Sequence, residues 1–163
     1  MNAFELQTDA IDPVTYRFER RYTCDSDNSS PELRWTEPPG GTQSLAFIME
    51  DPDAPGGTFI HWIVYAIPPT IRHLPAGIPP QELLPNGIKQ GLNTAKKLGY
   101  FGPCPPVGSS PHRYQLTLYA LKHPLPEDLQ RLPAAILRER IRQAAFEQTS
   151  LQGRYDRPAK KAG

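Results

Sequence analysis

The hydrophobic residues of the chain form short runs separated by clusters of proline and glycine. Residues 45–49 are apolar throughout, and Phe59–Ile67 is equally apolar except for one histidine. Runs of this length without a polar side are typical of β-strands that are covered on both faces of a sheet. Alternation of apolar and polar residues predicts half-buried strands at His112–Leu121 and at 14–22. A shorter strand is expected at 33–35.

Only the last third of the chain shows a helical period. Between residues 134 and 148, Leu137, Ile141, Ala144 and Ala145 fall on one stripe, and most charged residues lie outside it. Pro133 suits the start of a helix. Six or more strands followed by one helix predict a mostly β fold, in which two antiparallel sheets pack together with the C-terminal helix appended.

The composition is that of one folded domain with many loops. A chain of 163 residues can bury its own core, and we assign residues 1–156 to a single domain and 157–163 to a solvated basic tail. Its 20 prolines are more than twice the usual share of about 5%. The 18 basic and 17 acidic residues nearly cancel, so the charge does not indicate a nucleic-acid partner.

We expect a cytoplasmic protein. Neither a signal peptide nor an apolar run of about 20 residues, the length of a transmembrane segment, is visible in the sequence. Cys24 and Cys104 are too few for a disulfide framework and lack the spacing of zinc ligands. Both thiols are therefore expected to be reduced.

The segment 99–114 is not explained by packing alone. Its prolines, glycines and serines exclude a helix interior or a central strand, yet it contains a cysteine and runs directly into a His-Arg-Tyr sequence. A rigid loop beside titratable and aromatic side chains is typical of a small-ligand site. Pro105, Pro106, His112 and Tyr114 are therefore candidates for one wall of a pocket.

A second polar cluster follows the first buried strand. The sequence Asp-Pro-Asp-Ala-Pro at 51–55 holds two carboxylates between prolines, which by itself is ordinary turn chemistry. His61 changes this interpretation, because burying an unpaired imidazole costs about 1–3 kcal/mol. If the two apolar strands end at one sheet edge, Asp51 and Asp53 lie within reach of His61, and a carboxylate would orient its ring and raise its pKa. We also predict a cis peptide bond before Pro55.

Three kinds of site are compatible with these residues. Asp51, Asp53, His61 and His112 could form a metal site, and Cys104 with His112 could form a thiol hydrolase. However, the spacing of a calcium loop is absent, and no known nucleophile signature surrounds the cysteine. We favour the third kind, a preorganised anion-binding cleft that needs neither a metal nor a cofactor.

Taken together, these motifs resemble the phosphatidylethanolamine-binding protein family, and in particular its short bacterial and archaeal branch, often labelled Raf-kinase-inhibitor-like. The resemblance covers roughly residues 5 to 156. It rests on several motifs that occur in the family's order: Asp51-Pro-Asp-Ala-Pro55, His61-Trp62, Gly102-Pro-Cys-Pro-Pro106 and His112-Arg-Tyr114.

The resemblance implies a β-sandwich-like fold with one anion pocket at an end of the larger sheet. Its implied lining residues are Asp51, Asp53, Pro55, His61, Pro106, His112 and Tyr114. It also implies a non-enzymatic protein that binds a small phosphorylated or carboxylate ligand, with inhibition of a kinase or protease through exposed loops as the alternative. The residues themselves leave a third possibility, a hydrolase that uses Cys104 or His61. One departure is the short loop before His61, where Gly56-Gly57 stands in place of a tyrosine found in animal members.

Overall fold

The computed structural model describes residues 3–127 and 129–159, and this part of the chain holds eight β-strands and one α-helix in two antiparallel sheets. The elements are β1 Leu6–Gln7, β2 Leu33–Trp35, β3 Ser44–Asp51, β4 Phe59–Ile67, β5 His73–Leu74, β6 Lys89–Gln90, β7 His112–Leu121, α1 Ala134–Ala144 and β8 Ala145–Tyr155. The smaller sheet has the strand order β1-β2-β5, and the larger has the order β6-β4-β3-β7-β8. The predicted mostly β fold with two sheets and a C-terminal helix is confirmed.

Strand β3 lies at the centre of the larger sheet, and all of its residues are buried. On one face, Leu45, Phe47 and Met49 join a core cluster that contains residues of the smaller sheet. On the other face, Ala46 and Ile48 join a second cluster with the buried stripe of α1. The strand is therefore covered on both sides, as its continuous apolar sequence predicted.

The strand register brings three strand ends to one edge of the larger sheet. Strands β4 and β7 flank β3, and both run antiparallel to it. Asp51, the last residue of β3, pairs with Phe59 at the start of β4. On the other side, Glu50 pairs with Gln115 near the start of β7. The polar residues at the end of β3 and the histidines near the starts of β4 and β7 consequently lie close together.

The segment 14–22 does not form the predicted strand. Tyr16 has a φ of 59°, in the left-handed region, and its side chain is exposed. Arg20–Tyr22 is a short 3-10 turn. Phe18 is buried in the core, and its N–H donates to the carbonyl of Arg154 in β8. The alternation therefore arises from a loop that packs against β8.

The helix also ends earlier than its apolar stripe predicted. Helix α1 ends at Ala144, and Ala145, with φ −78° and ψ 141°, begins the extended strand β8. Residues 145–148 pair with β7 at the edge of the larger sheet. Pairing with β7 therefore overrides the helical pattern in the last predicted turn. The buried residues Leu137, Ile141 and Ala144 do lie on the predicted stripe.

Cys24 and Cys104 form a disulfide bond, so the expectation of two reduced thiols is wrong. Their Cα atoms lie 5.4 Å apart, although the residues are separated by 80 positions in the sequence. The bond joins the segment after the 3-10 turn to the proline-rich loop before β7. Two cysteines so far apart give no pattern from which this pairing could be predicted.

Candidate histidine pocket

A cavity of about 260 Å³ opens at the edge of the larger sheet where β3 ends. Its lining includes seven of the eight side chains that the sequence predicted as ligand-binding: Asp51, Pro55, His61, Pro105, Pro106, His112 and Tyr114. Ala54, Phe59, Phe101 and Cys104 complete the lining. The eighth predicted residue, Asp53, lies beside the cavity rather than in its wall.

A buried carboxylate orients the ring of His112. The Nδ1–H of His112 donates to Oδ2 of Asp51 at 2.7 Å, and both side chains are almost fully buried. The other carboxylate oxygen accepts the backbone N–H of Asp53 at 2.8 Å. Both oxygens of Asp51 are therefore engaged, and the ring nitrogen left available on His112 is Nε2. The sequence had indicated His61 as the partner of this carboxylate, and that expectation is wrong.

A backbone carbonyl orients the ring of His61. Nδ1 of His61 lies 2.5 Å from the carbonyl oxygen of Phe101, and the side chain is buried. Burial lowers the pKa of His61 to about 4, although the Phe101 carbonyl and the charge of Asp51 act in the opposite direction. The sequence predicted that this pKa is raised, and that prediction is wrong. Desolvation of the ring lowers the pKa by more than the nearby carboxylate raises it. His61 is neutral at pH 7.

Aromatic rings surround the two histidines. The ring centroid of His61 lies 4.7 Å from that of Phe59 and 5.3 Å from that of Tyr114. The ring of His112 stacks on that of Tyr114, with the ring centroids 6.4 Å apart. Burial raises the pKa of Tyr114, so its hydroxyl keeps its proton. Phe59 was missed as a lining residue, although its position two residues before His61 places both on one face of β4.

Asp53 joins the turn after β3 to the start of β7. Its carboxylate accepts the backbone N–H of Arg113 at 2.8 Å and the side-chain Nε and Nη2 at 3.0 and 2.8 Å. The bond from this guanidinium is the largest cause of a pKa lowered to about 2. Asp53 is thus an anion that is already neutralised by its neighbour.

The turn itself contains no cis peptide bond; none occurs in residues 3–127 or 129–159. The predicted cis bond before Pro55 is therefore wrong. Gly56 and Gly57 have φ values of 83° and 117°, which other residues rarely adopt, and the N–H of Gly57 donates to the carbonyl of Ala54 at 3.2 Å. The two glycines reverse the chain without a cis bond.

The proline-rich wall of the cavity is fixed to the segment that contains Cys24. The N–H of Gly102 donates to Oδ1 of Asn28 at 3.0 Å, and the N–H of Cys24 donates to the carbonyl of Pro103 at 3.1 Å. A Cβ atom added to Gly102 would lie 2.1 Å from the Asn28 oxygen and 2.5 Å from the carbonyl oxygen of Tyr22. Only glycine fits this close approach, and the disulfide of Cys24 adds a covalent link beside it.

Each residue considered for a metal site is already engaged by a protein partner. Asp51 binds His112, Asp53 binds Arg113 and His61 binds a carbonyl, as described above. Within the described ranges, no three or more His, Cys, Asp or Glu side chains are arranged to hold a metal ion. Cys104 carries no free thiol in this state, because its sulfur is bonded to Cys24.

The fold is a two-sheet β-sandwich in which two buried histidines line a cavity at one end of the larger sheet. The chain belongs to the phosphatidylethanolamine-binding protein family, whose model matches residues 10–156. The resemblance in the sequence, including that to the bacterial and archaeal branch, is thereby confirmed.

Relatives of known sequence and structure agree with this family. A UPF0098 protein of Methanothermobacter thermautotrophicus is 49% identical over 105 residues, which are 64% of this chain and 68% of that protein. The crystal structure of Escherichia coli YbcL, described as a member of the mammalian PEBP family, is 29% identical with a TM-score of 0.86. The superposition covers 95% of this chain and 99% of the YbcL chain.

Another relative bears on the location of the protein in the cell. LppC of Mycobacterium tuberculosis, which is named as a lipoprotein, is 37% identical over 139 residues, or 83% of this chain and 64% of LppC. No helix in the described part of the chain is long and apolar enough to cross a membrane. The cytoplasmic location inferred from the sequence stays a prediction.

Proposed function

We propose that the protein binds a small oxyanion, a phosphate group or a carboxylate, in the histidine pocket and acts by binding rather than by catalysis. The observation that carries the proposal is the pair of buried histidines that line one cavity. Each ring has its Nδ1 fixed by a protein acceptor, so that each has Nε2 left for a ligand. The cavity volume of about 260 Å³ suits a small group rather than a large cofactor.

The charges around the cavity are compatible with an anion. Asp51 is the one carboxylate among the described residues that line the cavity, and its oxygens are occupied by His112 and by a backbone N–H. An anion entering the cavity therefore meets no free carboxylate oxygen.

The walls of the cavity strengthen hydrogen bonds to a ligand and need little reorganisation to bind it. Prolines and phenylalanines form much of the lining, so few other polar groups compete for the ligand. Hydrogen bonds to the histidines are strengthened where such walls exclude water. Because the wall at Gly102 is already fixed by Asn28 and by the disulfide, little loop entropy is lost on binding.

The absence of a serine, a threonine and a free cysteine from the described lining supports binding without catalysis. No serine or threonine lies among the described residues that line the cavity, and the one cysteine there is in a disulfide. Activated hydroxyls and thiols are the usual nucleophiles of hydrolases. The family's name, which refers to a phospholipid, further supports a phosphorylated ligand.

Titration with inorganic phosphate, followed by the imidazole NMR signals, tests the proposal. We expect the signals of His61 and His112 to shift together at millimolar phosphate with one dissociation constant. His73 and His123, which are exposed and lie outside the cavity, serve as internal controls and should not shift. Unchanged signals of the cavity pair would show that the proposal is wrong.

Two matched variants, one at Asp51 and one at Asp53, test whether phosphate binds in the cavity. Asp51→Asn removes the charge that orients His112, and we expect phosphate affinity to fall at least about tenfold, as is common when the partner of a liganding histidine is lost. Asp53→Asn removes a carboxylate two residues away that pairs with Arg113 outside the cavity. It should bind phosphate nearly as the unmodified protein does. Equal losses in the two variants would contradict the assignment.

A further inference from the structure

We infer that the histidine pocket selects oxyanions that carry a proton, such as the monoanion of a phosphate monoester, over oxyanions that carry none, such as a sulfate monoester. The inference rests on the proposed function, because it concerns the same cavity. It assigns the selection to His61. The ring nitrogen Nε2 of His61 acts as a hydrogen-bond acceptor, and the contact of Nδ1 with Phe101 fixes its position.

The partner of His61 determines which ring nitrogen carries the proton. A carbonyl oxygen can only accept a hydrogen bond, so Nδ1 must carry the hydrogen that it donates to Phe101. In a neutral ring the other nitrogen, Nε2, is then a lone-pair acceptor. His61 lines the cavity, and Nε2 is the polar atom that it has left for a ligand.

The groups around His61 leave its ring neutral. Asp51 and the carbonyls of Phe101 and Gly102 favour a second proton, whereas His112 and, most strongly, desolvation oppose it. Tyr114, in edge contact with the ring, keeps its own proton and adds no negative charge. The nearest carboxylate, Asp51, is bonded to His112. Together these effects lower the pKa of His61 to about 4. Above that pH its Nε2 stays unprotonated and can accept a hydrogen bond.

The two histidines therefore offer different chemistry to a ligand. His112 is hydrogen-bonded to a carboxylate, which stabilises a ring that donates from both nitrogens and so favours a charged oxygen at Nε2. His61, backed by a carbonyl, accepts from an O–H. A phosphate monoester monoanion has both a charged oxygen and a P–O–H group. A sulfate monoester has no proton to give, so one of its oxygens would face the lone pair of His61.

Methyl phosphate and methyl sulfate test the inference directly. At pH 5 both are monoanions of similar shape, because phosphate monoesters lose their second proton near about pH 6. His61 remains neutral there, since its pKa is about 4. We expect calorimetry to show methyl phosphate binding about tenfold or more tightly, because a buried acceptor left without a donor loses at least that factor. The preference should shrink at pH 7.5, where methyl phosphate has lost its proton.

A variant and a spectroscopic measurement localise the effect. In His61→Phe the ring volume is retained and the acceptor is lost, so the preference for methyl phosphate should disappear. His123→Phe, at an exposed position outside the cavity, is the matched control and should keep the preference. Imidazole ¹⁵N shifts of the unmodified protein, which need no variant to fold, should show His61 with a protonated Nδ1 and an unprotonated Nε2.

The possible outcomes separate this inference from the proposed function. Equal affinities for the two esters, or a His61 protonated at Nε2 alone, would overturn the selection and leave anion binding intact. A preference that survives in His61→Phe would also overturn it. If neither ester nor inorganic phosphate binds at millimolar concentration, the proposed function itself fails.

Discussion

At the scale of single residues, the pocket shows how two histidines of one cavity differ through their partners. His112 donates to a buried carboxylate, and His61 donates to a backbone carbonyl. A carboxylate can balance a positive ring, whereas a carbonyl offers only part of that stabilisation. The two rings can therefore act as a donor and an acceptor, although their side chains are identical.

The low pKa of His61 predicts a specific dependence of stability on pH. Its pKa is about 4 in the folded protein, against an ordinary 6.5, so between these values the unfolded chain binds more protons. The contribution of His61 to the free energy of unfolding is fully present above about pH 6.5 and is lost as the pH falls toward 4. Over this range the free energy of unfolding should fall by about 3 kcal/mol through His61 alone.

Urea unfolding at pH 7 and pH 4 checks this prediction by comparison with His61→Phe. The variant should lose less stability on acidification than the unmodified protein. Asp53, whose pKa is lowered to about 2, stabilises the fold above its ordinary value of 3.8 and loses that contribution only at lower pH, so it does not obscure the comparison. The same pH dependence in both proteins would contradict the prediction.

The residues of the pocket were predictable from the sequence, but their pairing was not. Asp51, His61 and His112 stand out because polar groups beside or within apolar strands need partners. Which of them pair depends on the register of β3 and β7, which places Asp51 beside His112. The partner of His61 is a backbone carbonyl in a distant loop, and a backbone group leaves no mark in the sequence.

At the scale of secondary-structure elements, the hydrophobic patterns predicted the structure correctly where the burial of side chains alone determines it. The apolar strands β3 and β4 and the alternating strand β7 lie where the sequence predicted them. The patterns failed where other contacts override them. Residues 145–148 continue a helical stripe but pair with β7, and residues 14–22 alternate but form a loop against β8. Both errors concern segments at the edge of the larger sheet.

An ion pair joins α1 to the central strand and predicts a large effect of one substitution. Arg138 donates from Nε and Nη2 to the two carboxylate oxygens of Glu50 at 2.9 and 2.8 Å. Glu50 is only 7% exposed. Arg138→Met leaves this carboxylate buried without its partner, and we expect a loss of about 3 kcal/mol or more in urea unfolding.

An exposed ion pair provides the matched control. Arg34 contacts Glu32 at 2.8 Å and Asp9 at 3.1 Å, and all three side chains are more than a third exposed (40%, 37% and 74%). Arg34→Met should change the free energy of unfolding by less than about 1 kcal/mol. A loss at Arg138 no greater than that at Arg34 would show that the helix is not anchored through Glu50.

At the scale of the whole molecule, segments far apart in the sequence meet behind the cavity wall. The disulfide joins Cys24 to Cys104, and Asp25 accepts hydrogen bonds from Tyr155 at the end of β8 and from Arg157 beyond it. Of the predicted solvated tail at 157–163, Arg157 contacts Asp25, and residues 160–163 lie outside the described residues. Disulfides are rare in reducing compartments, so this bond weighs against the predicted cytoplasmic location.

Reduction of the disulfide should weaken both the fold and the pocket. The cross-link closes a loop of 80 residues, for which loop entropy alone corresponds to about 4 kcal/mol of stability. Because Cys104 also lines the cavity, phosphate affinity should fall in parallel. Urea unfolding and phosphate titration, each with and without dithiothreitol, measure the two effects.

The double variant Cys24→Ser, Cys104→Ser is the control for the reductant. Its stability should be lower from the start and should not respond to dithiothreitol. Unchanged stability of the unmodified protein after complete reduction would show that the cross-link contributes little.

The full burial of β3 has a consequence for the time course of binding. The floor of the pocket is formed by the ends of β3, β4 and β7. The backbone hydrogen bonds between these strands break only when the whole domain unfolds. The opposite wall has no ladder hydrogen bonds in residues 101–106 and is held at separate points by Asn28, the Cys24 N–H and the disulfide. Loss of one of these contacts would loosen this wall while the strands stay paired. The residence time of a ligand can therefore be altered at this wall with less effect on the lifetime of the fold.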